Sequence, residues 1–81
     1  MIESDLFALV TENICEVLPD LKNHNFQYSD RLVDLGANSV DRAEIVARTM
    51  EALSLKIPRV ELFGVKNIGE LTQLLYQKLQ S

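Results

Sequence analysis

Three stretches of the chain place apolar side chains at three- and four-residue steps, and nowhere do apolar and polar residues alternate over the length of a strand. That spacing puts the apolar groups on one face of a helix. Leu6, Val10, Ile14, Val17 and Leu18 recur in this way until Pro19, which cannot continue a helix, so a first helix is expected over residues 4–18. A second should begin at Ser39 or Val40 and reach Leu53, with Ile45, Val46, Met50 and Leu53 as its core face. In a last helix, Ile68, Leu71, Leu74, Leu75 and Leu79 form the buried stripe, and Asn67 and Glu70 have the three-residue spacing of a capping box. Between the last two, Pro58 suits the first turn of a short helix that Gly64 would end. The expected fold is all-α, a four-helix bundle of three long helices and one short third helix.

At 81 residues the chain is read as one domain with a single core and no room for a deep catalytic cleft. One cysteine, Cys15, rules out a disulfide framework, and one His with one Cys falls short of a zinc ligand set. The N-terminus carries acids where a secretory signal carries bases, and no apolar run approaches the roughly 20 residues that cross a bilayer, so no membrane role and a cytoplasmic location are expected. A formal charge of −4 argues against binding nucleic acid. The charge is also uneven: residues 1–41 hold eight of the twelve acids and two of the eight bases. The half that leads into the second helix is therefore the acidic one.

From Pro19 to Asn38 the helical pattern lapses, yet Leu21, Phe26, Leu32 and Leu35 are spaced through it, as in a connection packed onto the core. Long irregular connections in compact domains tend to be functional, and this one ends at Asn38-Ser39. Either residue has the side-chain oxygen that a helix start needs, so the pair is a cap, a site or both. Beyond it, Val40, Ala43 and Ala47 form a shallow outward stripe flanked by Glu44, Arg48 and Glu51. That surface suits a transient protein contact, or equally a solvated face with incidental alanines.

Hydrolase chemistry finds no support, since Ser39 lacks both the second glycine and the preceding strand of a nucleophile elbow. His24, in the polar run "KNHNF", reads as a solvated loop residue, and Cys15 as a small, partly buried apolar group. No catalytic residue and no metal site are assigned.

"DLGANSV", Asp34 to Val40, followed by an amphipathic helix, resembles the attachment motif of the acyl carrier protein family: an acid, a hydrophobe, Gly, any residue, Asp, Ser and a hydrophobe. The order and lengths of the expected helices match that family over the whole chain. The resemblance implies that the hydroxyl of Ser39 receives 4′-phosphopantetheine from coenzyme A through a phosphopantetheinyl transferase, and that the thiol of this arm carries acyl groups as thioesters. Asp34, Leu35, Gly36, Asn38 and Val40 complete the motif. A phosphodiester there would lie at the positive end of a helix dipole, and Gly36 is expected to permit a tight approach to the serine. Asn38 replaces the usual Asp, keeping a capping oxygen but removing a charge available to the transferase's metal ion. Arg42 and Arg48 interrupt a helix that is usually strongly acidic, leaving Asp41, Glu44 and Glu51, so partners that read a purely acidic helix should dock less well.

"SVDRAEIV" with "LSLKIPRVELFGVKNIGEL" is similar, more narrowly, to the discrete donor carriers of polyketide β-branching cassettes. What this implies is a carrier loaded with malonyl by a malonyl- or acyltransferase, converted to acetyl-carrier by a decarboxylating ketosynthase, and read by a homologue of hydroxymethylglutaryl-CoA synthase. The expected partner surface is Val40, Asp41, Arg42, Glu44, Ala47, Arg48 and Glu51 of the second helix, with Arg59 and Phe63 of the third. Val60, Leu62 and Phe63 exceed what so short a helix needs as anchors. The carrier is expected to act as a monomer. Two other readings are a general fatty-acid or polyketide-extension carrier, and an unmodified helical interaction module in which Ser39 is only a cap.

Overall fold

The computed structural model describes residues 1–62 and 64–80. Four helices appear in order: α1 Glu3–Val17, α2 Ser39–Leu53, α3 Arg59–Leu62 and α4 Ile68–Gln80, with a 3₁₀ turn at Pro19–Leu21 directly after α1. No strand occurs among the described residues. Helix α1 packs against both α2 and α4. Its Leu6, Val10 and Ile14 meet Ile45 of α2 and Ile68, Leu71 and Leu75 of α4 in one buried cluster, which Ile57 joins from the α2–α3 connection. No helix among the described residues is long and apolar enough to cross a membrane.

Helices α1 and α2 lie within a residue of the bounds that periodicity gives. Helix α1 starts one residue early, at Glu3; Ile2 before it has no side-chain acceptor to offer, and Asp5 reaches back to accept the N–H of Ile2 at 3.2 Å. Helix α2 ends where Ser54 takes the left-handed conformation, φ +53°, and the N–H of Leu55 closes onto the carbonyl of Met50 at 2.9 Å.

Two details of the core differ from the apolar pattern. Val46, Met50 and Leu53 are only half-buried, and the centre of the inward face of α2 is Ile45 with Thr49 one turn on, 1% exposed. In α4, Leu74 and Leu79 are likewise half-buried, while Gly69 and Thr72 are fully covered. Both threonines hide their polarity locally. Thr49 Oγ1 donates to the carbonyl of Ile45 at 2.8 Å, and Thr72 Oγ1 to that of Ile68 at 2.9 Å.

The connection from α1 to α2 is packed down as expected, with Leu21, Phe26, Leu32 and Leu35 against the core. Its middle is fastened to the start of α4. The N–H groups of Ile68 and Gly69 donate to the carbonyls of Asp30 and Tyr28, both at 2.9 Å. Gly69 is required there, because a Cβ would stand 2.8–2.9 Å from side-chain and backbone atoms of Tyr28. Tyr28 also stacks on Phe7, ring centroids 4.6 Å apart, and donates its hydroxyl to Glu3 at 3.0 Å. Partial burial, then the Glu3 carboxylate, push the Tyr28 phenol above its ordinary pKa.

His24 is exposed but not without a partner: its Nε2 lies 2.9 Å from Asp30 Oδ2, which also accepts the N–H of Gln27 at 2.9 Å. The Gln27 N–H, then the imidazole, hold the Asp30 carboxyl below the usual carboxylate range. Cys15 is partly buried and its thiol points at the carbonyl of Leu21, 3.6 Å away.

Candidate functional site

Ser39 sits where two backbone devices meet. Residues 31–37 form a single helical turn that stops at Gly36, whose N–H donates to Val33 at 3.2 Å while the N–H of Ala37 closes onto Leu32 at 3.0 Å. This is the hydrogen-bond pair of a Schellman stop, with Ala37 buried and Leu32 half-buried. Gly36 has φ +94°, beyond the left-handed range that other residues tolerate. Within the chain itself nothing lies within 4 Å of the place a Cβ would take, so the backbone angle is what requires a glycine here.

The second device is the cap of α2, and it belongs to Asn38. Its Oδ1 accepts the N–H of Asp41 at 2.8 Å, while Asp41 Oδ2 accepts the N–H of Asn38 at 3.1 Å. With that reciprocal box filled, Ser39 is the first residue of the helix, exposed, and its hydroxyl makes no hydrogen bond with any described residue. The N–H groups of Ser39 and Val40 have no acceptor within the helix. An exposed hydroxyl beside two open amides at the positive end of a 15-residue helix is a placement that accommodates a phosphodiester.

The remaining motif and surface residues do not share one face. Asp34 is exposed, its carboxylate 4.0 Å from Arg31 Nε, and Leu35 packs on the core. Asp41 and Arg42 face back toward the loop rather than out. Arg42 Nη1 donates to the carbonyl of Ala37 at 2.7 Å, so a side chain expected on the partner face also holds the residue that ends the loop.

Glu44, Ala47, Arg48 and Glu51 are exposed together and line a shallow groove completed by Asn13 of α1 and Ala52. Within it Glu44 and Arg48 pair at 3.0 Å. Val40, 71% exposed, and Arg59 are on the surface but do not line that groove. Phe63 lies outside the described residues. Periodicity missed Ala37, whose buried methyl and two satisfied backbone groups fix the approach to Asn38; the Gly-Ala pair before a cap is the one signal for it.

Residues 8–75 match the family model described as the phosphopantetheine attachment site. The chain is 62% identical over 76 residues to the polyketide biosynthesis acyl-carrier-protein AcpK of Bacillus subtilis (strain 168), covering 94% of this chain and 93% of that protein. It superposes with a TM-score of 0.86 and 43% identity on a chain in the crystal structure of the HMG synthase of the curacin biosynthetic pathway in complex with acetyl donor-ACP, covering 93% of this chain and 96% of that one. The all-helical order, the motif at the head of α2 and these likenesses agree. The chain belongs to the phosphopantetheine-attachment family and is an acyl carrier protein of the polyketide type.

Proposed function

We propose that Ser39 is the attachment residue for 4′-phosphopantetheine and that the loaded chain is the acetyl donor to a hydroxymethylglutaryl-CoA-synthase-like enzyme in polyketide β-branching. The observation that carries the first half is the division of labour at the head of α2. Asn38 and Asp41 cap each other, which leaves the Ser39 hydroxyl exposed and unbonded, whereas a serine that served only as a cap would spend its oxygen on the backbone. Arg42, through Ala37, and Gly36, through its backbone angle, hold the loop end from which that hydroxyl projects. The arm supplies the thiol that bears the acyl group; the chain orients the arm and offers the surface by which enzymes recognise it.

The second half is supported by the likeness to the chain crystallised with HMG synthase, which is of nearly the same length as this one and so corresponds to the donor carrier of that complex. On this reading a phosphopantetheinyl transferase installs the arm, a malonyl- or acyltransferase loads it, a decarboxylating ketosynthase turns malonyl into acetyl, and the synthase removes the acetyl group. Val40, Glu44, Ala47, Arg48, Glu51 and Arg59 are the exposed surface available to these partners, with half-buried Asp41 and Arg42 beside it at the loop end, and a mixed rim of acids and arginines favours enzymes that do not require a purely acidic helix.

The test is in two steps. Intact mass after incubation with a broad transferase and coenzyme A should rise by one arm for the natural chain and not at all for Ser39→Ala. Because Asn38 is the cap, Ser39→Ala should change stability by less than about 0.5 kcal/mol. A Ser39→Ala protein that gains the arm overturns the assignment. The acetyl-loaded natural chain should then acylate the active-site cysteine of the synthase much faster than an acetyl-loaded fatty-acid carrier; equal rates would mean that the arm alone is read.

A further inference from the structure

Helix α3 is four residues long and contains no buried residue. So short a helix cannot hold its own geometry, and its orientation must come from what it touches. Leu62 packs against the core, with buried Ile57 before the helix and half-buried Val65 after it. Among the described residues one ion pair ties it to a long helix: Lys78 Nζ, in the last turn of α4, lies 2.6 Å from Glu61 Oε1, both side chains about one-third exposed. At roughly 100° per residue, Val60 stands nearly opposite Leu62 and Glu61 lies between them on one side. With Leu62 as its one core contact among the described residues, α3 could roll about its axis. With Glu61 held on Lys78 as well, its rotation is defined, and Val60, 72% exposed, and Arg59 are turned outward. Neutralising Glu61 also leaves Arg59 as the uncompensated charge of the helix, since Arg59 has no partner among the described residues.

We propose that Glu61 and Lys78 are a positioning pair: neither meets the partner, but together they set the angle at which Arg59 and Val60 are offered to the synthase. The proposal rests on the donor reading above. A pair this exposed contributes little to global stability, so its effect should appear in recognition and not in the melting curve.

The experiment compares the natural chain, Glu61→Gln, Lys78→Gln and the charge swap Glu61→Lys/Lys78→Glu, all loaded with arm and acetyl. Each single variant should raise the KM for acetyl transfer to the synthase about threefold to tenfold with kcat little changed, as expected when the geometry of a charged rim is lost. The swap should return KM to within about twofold of the natural value, because the pair is re-formed with reversed sign. Loading of Ser39 by the transferase should be the same in all four. Unchanged KM in both single variants, with the natural chain donating normally, overturns the proposal. So does a swap as weak as the worse single variant, which would mean that Glu61 or Lys78 touches the synthase itself.

If the natural chain does not donate at all, it is the donor reading that fails, and the tether is judged by amide chemical shifts over 59–62. Shifts that move in the single variants and return in the swap uphold it, and shifts that stay put overturn it.

Discussion

Helices α2 and α4 open on the same signature, Asn38-Ser-Val-Asp41 and Asn67-Ile-Gly-Glu70, yet the two ends come out differently. At α4 every early amide is taken: Ile68 and Gly69 donate to the loop carbonyls of Asp30 and Tyr28, Glu70 to Asn67 Oδ1 at 2.8 Å and Leu71 to the carbonyl of Asn67 at 3.1 Å. At α2 the box closes on itself, and the amides of Ser39 and Val40 face solvent with nothing of the chain laid across them. The signature decides where a helix starts. Whether that start is a joint or a site depends on what else is folded over it, which is a property of tertiary structure. Here one loop performs both tasks, its middle sealing α4 and its end presenting α2.

The contrast is most severely broken at Gly69. A Cβ at that position collides with Tyr28, so Gly69→Ala should cost about 1–3 kcal/mol by forcing the loop off α4. Chemical denaturation should show the loss, and amide exchange should show it first at Ile68 and Gly69. Alanine at each cap is the next effect. Asn67→Ala and Asn38→Ala should both fall within about 0.5–2 kcal/mol, with the α4 variant the costlier, because the Glu70 amide is partly buried while that of Asp41 can turn to water. Thermal melts that rank the two the other way would mean that the exposed box is the stronger one.

A reciprocal exchange at the two left-handed stops that frame α2 is subtler. Gly36→Ser should destabilise by roughly 1–2 kcal/mol, since φ +94° is strained for any side chain, whereas Ser54→Gly should stabilise by at most about 1 kcal/mol. The smallest effect is confined to acid. Asp30 has its carboxyl held below the ordinary value in the folded chain, so its contribution is complete above the unfolded pKa and disappears as pH falls through and below the ordinary range near about 3.9. Asp30→Asn should flatten that part of the stability profile and raise exchange at Ile68, leaving the α2 box untouched.

Much of this architecture is legible in the residues alone. Leu6, Val10, Ile14 and Ile45 mark the inner faces of α1 and α2, Pro19 ends the first helix, and the Asn-x-x-acid spacing locates two helix starts. What is not legible has a physical cause in each case. Thr49 and Thr72 count as polar in any periodic pattern, but a hydroxyl that bonds within its own turn can be buried at little cost. Gly36 and Gly69 look alike in sequence and exist for different reasons, one a torsion and one a contact with Tyr28, a residue distant in the chain. The second half of the α4 box goes to Lys66, not Asn67: Glu70 Oε1 accepts the Lys66 N–H at 3.1 Å, a choice made by local geometry that spacing cannot register. At the site, the resemblance supplied Ser39, but only the geometry separates the residue that caps from the residue left free.

The two buried threonines have one more consequence. Each directs its hydroxyl along its own helix, and no buried side-chain polar atom among the described residues lacks a partner. Among the described residues, the central seam between the long helices is consequently closed by apolar packing. Such an interior resists unfolding through the area it hides and through the closeness of its packing. The directional bonds fall instead at the helix starts, where Asn38 and Asn67 decide which amides are held and which are left open.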